Sequence, residues 1–411
     1  YNNDQGTETG FVLASINLDA YVGLSNLKIR FKYDATWDWY WAIDNLVLSA
    51  SKQNIVWSPN TNLFTDVACT IAYDGISNAP TLYARPTESI NYTATSTNNG
   101  CIKSDTVNFN IQSVFYNPNL YSNNTPANWS EAPSSNKSII FDGGNFTSTE
   151  DIEACSCTIN SGDVIITTGH TLKLHNELNV NGGSITFQDK ASLIQINNNA
   201  INTGNIYYSR NAIDYTSALY DYVYWSTPTT NSSTAAVGCY SWNTTYVNTN
   251  GTQGNWSSAN NTSMTTGKGY IMRDVFSKTF NGIPHNGIIT TNVQRGTITT
   301  GPNKDTDNWN LIGNPYPSAI DSHLFMLSNT NIEGSIAVWT HNTSPSSANG
   351  NPFYANFVSN YQSNDYIIYN LTGSQAGPHV FEGDIAAGQG FMVKLLETGS
   401  NSQTIEFNNS M

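Results

Sequence analysis

At 411 residues and a formal net charge of −14, the chain has room for several domains and would repel a polyanion, which argues against nucleic acid and anionic membrane as partners. Only 11% of residues are charged while 12% are aromatic, a balance too apolar for disorder and suited to strands with neutral polar outer faces. No apolar run approaches the roughly 18 residues that a membrane-spanning helix needs.

Residues 1–52 carry two alternating segments, 27–33 and 41–48, around an aromatic corner, Trp37-Asp38-Trp39-Tyr40-Trp41. Alternation over so few residues reads as strand. Trp37, Trp39 and Trp41 share one face, which either stacks on sugar rings or points into a core. Residues 53–112 repeat strand-like segments about every ten residues, the spacing of a β-sandwich. Cys69 and Cys101 bracket this stretch. A disulfide there would close a loop of about thirty residues and contribute roughly 3 kcal/mol. Paired Cys or His partners for zinc are missing from the sequence pattern.

Residues 113–135 are polar and contain proline, a linker or cap. From 137 to about 205 runs a ladder of apolar pairs: Val164/Ile166, Leu172/Leu174, Leu178/Val180, Ile185/Phe187 and Ile194/Ile196. Gly, Asn and Asp separate the pairs, so the spacing predicts short strands with tight turns, a β-solenoid or meander. Cys155 and Cys157 stand within it, either as a strained local bridge or as free thiols. Cys239, in AAVGCYSW, is expected in a core.

Residues 206–411 read as a duplication. The first copy shows Trp225-Ser-Thr-Pro228, then Trp242, then Gly267-Lys-Gly269-Tyr270. The second shows Ile312-Gly-Asn-Pro315, then Trp339, then Gly388-Gln-Gly390-Phe391. Two sandwich-like halves follow, dividing near residue 300. Trp225, Trp242, Trp309 and Trp339 are expected to be core. Tyr220, Tyr222 and Tyr224 alternate and offer a second aromatic face.

Chemistry is sparse. Six histidines show no HxxxH or HxH pairing, and there is no GxSxG elbow, Walker loop or dinucleotide fingerprint. Asp142, Glu150, Asp151 and Glu153 cluster just before or within the first rungs, where a solvated acidic loop is a far more common arrangement than a catalytic pair.

Several segments resemble modules of secreted Bacteroidetes proteins. LSNLKIRFKYDATWDWYWAIDNLVLSA is similar to the closing strands of cleaved-adhesin and MAM-like jelly rolls. That likeness implies a structural Ca²⁺ held through Asp44, although Asn45 stands where a second acid would be. The order WSP, Cys69, YARPT, YTAT and Cys101 resembles Ig-like or PKD-like repeats of surface and gliding adhesins. Asp105-Thr106-Val107 fits the short O-glycosylation acceptor pattern of that phylum, which marks Thr106. TGHTLKLHNELNVNGGSITFQDKASLIQ, YDYVYWSTP, WNLIGNPYPSAID and GQGFMV together resemble β-rich regions of type IX secretion system substrates.

The expectation is therefore an all-β, multidomain chain. It comprises a partial jelly roll (1–52), an Ig-like sandwich (53–112), a linker with a short β-solenoid (113–205) and a duplicated sandwich-like region (206–411). The resemblance implies a non-enzymatic adhesin or scaffold segment at the bacterial cell surface, an internal piece of a longer protein. Its partners would be outer-membrane components of the secretion system during export, and surface glycans meeting Trp39 or Tyr222. The alternative is a carbohydrate-binding portion of a larger secreted polysaccharide-degrading enzyme.

Overall fold

The computed structural model describes residues 54–86, 89–98, 101–109, 112–212, 222–298, 300, 307–340, 346, 348, 365–373, 375–377 and 380–411; before residue 54 it describes 6–7, 10–11, 15–18, 21, 28–32 and 46–47. The described residues are almost all β, with a solenoid at the centre.

The solenoid has three faces of parallel strands. On the first, Gln112–Tyr116, Lys137–Asp142, Cys157–Ser161 and Leu178–Val180 lie side by side. Phe146–Thr147, Asp163–Ile166, Ser184–Phe187 and Ile206–Asn211 make the second. Ile152–Ala154, Thr171–Leu174 and Ser192–Gln195 make the third. In-register partners such as Cys157 and Leu178, Val164 and Ile185, or Leu172 and Leu193 stand 21 residues apart. One coil therefore takes three strands. Period-two alternation turns one residue of each pair inward, and each inward side chain stacks on its counterpart one coil away. Ile139, Cys157, Leu178, Leu172, Ile185 and Phe187 are all fully buried in those columns.

One corner needs glycine. Gly144, Gly162, Gly183 and Gly204 fall at equivalent places and all adopt positive φ, from +70° to +84°. A Cβ on Gly162 would collide with the Gly144 carbonyl oxygen, and one on Gly183 with that of Gly162. Both the turn conformation and the close approach of successive coils exclude a side chain.

The first coil is capped. The solenoid begins with Gln112–Tyr116, a strand that runs from the last residue of the expected sandwich into the segment expected to be a linker, and the chain then folds back over its own end. Asn117 caps the short helix Pro118–Tyr121, its side chain accepting from the Asn119 amide. Trp129 follows and packs edge-on against Tyr116 (5.0 Å) and Phe141 (5.4 Å), with Phe146 closing the cluster. Aromatic rings thus cover the apolar end that a stack would otherwise leave open.

At the opposite end the last coil is shared. Ile206–Asn211 pairs in parallel with Ser184–Phe187 on one side and antiparallel with Ser277–Gly282 on the other. That second pairing opens a unit that occurs twice. In the first copy, Tyr222–Trp225, Tyr270–Arg273, Cys239–Val247 and Gln253–Ser258 form a sheet in that order. In the second, Trp309–Gly313, Gly390–Leu395, Ile332–Trp339 and Tyr366–Asn370 do the same, extended by Gln375–Ala376. Registers match as well. Trp225 pairs with Tyr270 as Ile312 pairs with Phe391, and Cys239 faces Met272 as Ile336 faces Val393. Ile289–Gln294 pairs with Ser402–Phe407 as Ile206–Asn211 pairs with Ser277–Gly282. The second copy therefore starts near residue 289, and the division expected at 300 moves upstream.

The two copies face each other around an approximate twofold axis. The Ser226 N–H donates to the Gly388 carbonyl (2.7 Å), and at the equivalent positions Gly313 donates to Gly267 (3.0 Å). Such reciprocity defines an isologous contact. Between the sheets lies an aromatic layer in which Tyr224 stacks on Trp339, 5.6 Å apart and 10° from parallel. Behind the first sheet, one buried cluster runs without a break from Val114 in the solenoid to Trp225, Phe280 and Ala387.

Residues 54–109 fold separately around a smaller core of Leu63, Tyr73, Ala79 and Tyr92. Asn54–Ser58, Ile90–Asn98 and Cys101–Phe109 form an antiparallel sheet, with Leu63–Phe64 and Tyr83–Ala84 paired beside it. Arg85 reaches Glu177 of the solenoid at 3.6 Å.

The expected Cys69–Cys101 bridge is not formed; both are free thiols. Cys101 opens its strand opposite Asn98, at the hairpin tip. Cys69 sits near Arg85, towards the solenoid. A nine-residue strand spans roughly 30 Å at about 3.3 Å per residue, whereas a disulfide needs Cα atoms within about 7 Å. Cys155 and Cys157 are also free: Cys155 lies at the corner between Ile152–Ala154 and Cys157–Ser161, where the Asn176 side chain donates to its sulfur (3.4 Å), whereas Cys157 turns inward at the start of the next strand. Cys157 is wholly buried, which pushes its thiol pKa up. Cys239 is core.

Candidate functional site

The sequence-derived candidates do not converge. Asp44, Trp37, Trp39, Trp41 and Tyr220 lie outside the described residues, and so do His341 and His379. Tyr222 is placed at the rim of the aromatic layer, edge-on to Tyr240 at 6.0 Å. Burial raises its phenol to about 12. Its ring belongs to the interface between copies and offers no open platform. Trp225 and Trp339 are buried as expected, whereas Trp242 and Trp309 are partly exposed at the edge of the same layer. Thr106 lies on an exposed strand, its hydroxyl 3.0 Å from that of Thr93.

Two of the acidic residues in the first rungs, Asp151 and Glu153, are used by the coils. Asp151 Oδ1 accepts from the Thr171 amide (2.8 Å). Glu153 meets Lys173 and His175, each at 3.1 Å, and the hydrogen bonds from these two hold its carboxyl below the usual range. His170 Nδ1 sits between the hydroxyls of Ser148 (2.9 Å) and Thr167 (2.7 Å), bracing a corner. Among the described residues no group of three or more His, Cys, Asp or Glu side chains could hold a metal ion. Asp307 is buried with Oδ2 accepting from the Ile298 amide, while its Oδ1 has no donor among the described residues; a single carboxylate makes no metal set.

Two features that sequence reasoning missed carry more chemistry. The first is His285, between the two copies. Its Nδ1 lies 3.1 Å from the Pro315 carbonyl oxygen and 3.3 Å from that of Thr227, so the proton resides there, and Nε2 faces the Thr266 hydroxyl at 3.2 Å. Burial lowers its pKa, partly offset by the bonds to those two carbonyls.

The second is a groove of about 260 Å³ at the last coil, lined by Gly182, Gly183, Ser184, Asn205, Tyr207 and Asn281 among others. Alternation along Ile206–Asn211 turns Tyr208 inward, where its hydroxyl donates to the Ala191 carbonyl (2.8 Å). The same alternation turns Tyr207 outward, 41% exposed. Thr186 and Asn281 are its cross-strand neighbours. Ser184 donates to Asp163 (2.7 Å), while among the described residues Asn205, Asn281 and the Tyr207 hydroxyl make no side-chain hydrogen bond. The adjacent Tyr207-Tyr208, following the corner Asn202-Thr-Gly-Asn205, was the available sequence signal.

A family model described as a domain of unknown function, DUF8693, matches residues 120–411. The chain belongs to this family. The matched stretch opens in the capping helix and takes in the remaining coils and both copies of the repeated unit, so the DUF8693 unit is the solenoid and its symmetric extension together. Residues 54–109 fall outside it. No curated protein and no solved structure matches the chain.

Proposed function

We propose that the chain is a rigid, non-catalytic segment of a secreted or cell-surface protein, an adhesin or scaffold exported through the type IX secretion system. The observation that carries this reading is the shared strand Ile206–Asn211, with the unbroken buried cluster beneath it. A strand and a core shared between the solenoid and the symmetric pair of sheets stiffen the join, and stiffness is what a projecting shaft requires. Residues 53–112, as an Ig-like spacer, and residues 1–52, as the end of a jelly roll with Ca²⁺ at Asp44, would lengthen that shaft.

Surface labelling of intact producing cells tests the placement. A membrane-impermeant amine reagent should modify the protein, deletion of the secretion machinery should remove that labelling, and loss of the protein should weaken adhesion to solid surfaces. A protein that stays unlabelled, with adhesion unchanged in its absence, would contradict the reading. For the calcium site, chelation should lower the melting temperature of the full chain; no shift would remove Asp44 from consideration.

A further inference from the structure

We propose that the groove on the last solenoid coil binds neutral glycans, with the Tyr207 ring as stacking platform and the Asn205 and Asn281 amides as ligands for sugar hydroxyls.

Three observations meet at this place. The first is the exposed ring. The apolar face of a pyranose covers an aromatic ring well, and an outward Tyr on a rigid strand loses little conformational freedom on binding. Tyr207 is held on both sides by strand pairing, to Thr186 and to Asn281, so the platform is fixed before a ligand arrives.

The second observation concerns the amides. Several amides on the solenoid are consumed by one another. Asn181 donates to Asn160 (3.3 Å), Asn197 to Asn176 (3.0 Å), and Gln195 and Asn202 bond each other at 2.7 and 2.9 Å. Beside Tyr207 that pattern stops, because Ile206–Asn211 is the last coil and its next neighbour runs antiparallel. Asn205 and Asn281 thus each present a donor and an acceptor within the same groove, a combination that suits hydroxyls able to do both.

The third is charge. The groove's lining is neutral, and the nearby Asp163 is already bonded by Ser184. With a net charge of −14 on the chain, an anionic sugar would be repelled and nothing in the groove would compensate. Gly182 and Gly183 keep one wall free of side chains, so a ring can approach the backbone there.

The site stands independently of the shaft reading, since a shaft needs no ligand and a ligand needs no shaft. Calorimetric titration of the full chain with neutral gluco-, manno-, xylo- and galacto-oligosaccharides, and with oligouronates as the charged control, tests it. Saturable binding of at least one neutral series is expected. Tyr207→Ala should weaken it at least about tenfold, and Tyr207→Phe should hold it within about threefold because the stacking face is kept. Asn205→Ala and Asn281→Ala should each cost several-fold. All four variants should keep the parent melting temperature, as the positions are exposed. No saturable binding to any neutral series, binding indifferent to Tyr207→Ala, or preference for oligouronates would each overturn the assignment.

Discussion

The solenoid and the repeated unit bury their apolar surface in different ways. The solenoid stacks like on like: Leu172 on Leu193, Val164 on Ile185, each coil templating the next. The repeated unit closes on itself: two sheets of identical order meet face to face through Tyr224, Trp339, Met392 and Ile271, then stop. Stacking is open-ended and needs caps, which Trp129 supplies at one end and Ser277–Gly282 at the other. Symmetry is self-limiting. Joining them through one strand gives a body with a defined length.

That contrast can be broken most severely where the two modes meet. Trp225 is fully buried at the join, with its indole N–H donating to the Val275 carbonyl (2.9 Å) and its ring against Phe280 (5.9 Å). Trp225→Ala should cost about 3–5 kcal/mol and lower the melting temperature of solenoid and repeat alike. If circular dichroism and tryptophan fluorescence separated in that variant, the shared core would not be coupling them.

A pair of glycines sharpens the account of the corner. Gly169 and Gly183 both adopt positive φ, +83° and +70°, but a Cβ on Gly169 meets nothing within 4 Å, whereas one on Gly183 strikes backbone. Gly169→Ala should cost about 1–2 kcal/mol from conformation alone. Gly183→Ala should cost clearly more, with amide exchange accelerated in the coils on either side. Equal losses in chemical denaturation would mean the coils are not packed as closely as described.

Smaller still is the effect of pH at the symmetric seam. His285 is neutral in the fold with a lowered pKa, so the unfolded chain binds its proton first as pH falls. Stability from this residue is fully present above about pH 6.5 and is lost as pH drops from there toward the folded value. The melting temperature should decline between pH 7.5 and 5.5, and His285→Gln should flatten that slope. An unchanged slope would remove the histidine from the seam's energetics. Least affected is the outer solenoid face, where Glu153→Gln should leave the melting temperature within error at neutral pH, because its partners are solvent-screened.

Strands were legible in this sequence; their arrangement was less so. Val164/Ile166 and Leu172/Leu174 announce themselves through period two, yet they lie on different faces of one coil, so the apolar spacing of six to nine residues hides the true repeat of 21. The repeat is written in Gly162, Gly183 and Gly204, which carry no hydrophobic signal. The duplication could be read from Trp225-Pro228 and Ile312-Pro315 because the register-setting residues are distinctive. Its boundary could not, because Ile289–Gln294 is an ordinary polar strand whose partner, Ser402–Phe407, lies over a hundred residues away. Tyr222 and Tyr207 show why the site was hidden. Both look like exposed aromatics on alternating strands, and only the second sheet, packed against the first, tells them apart.

Solenoid and repeated unit are joined into one cooperative body through Ile206–Asn211. Hydrogen exchange in rising denaturant tests it most directly, following peptides from 157–195 and from 309–339. Both sets should converge on one opening free energy and one denaturant dependence before global unfolding. Two separate isotherms, with the solenoid opening while the repeat stays protected, would contradict it.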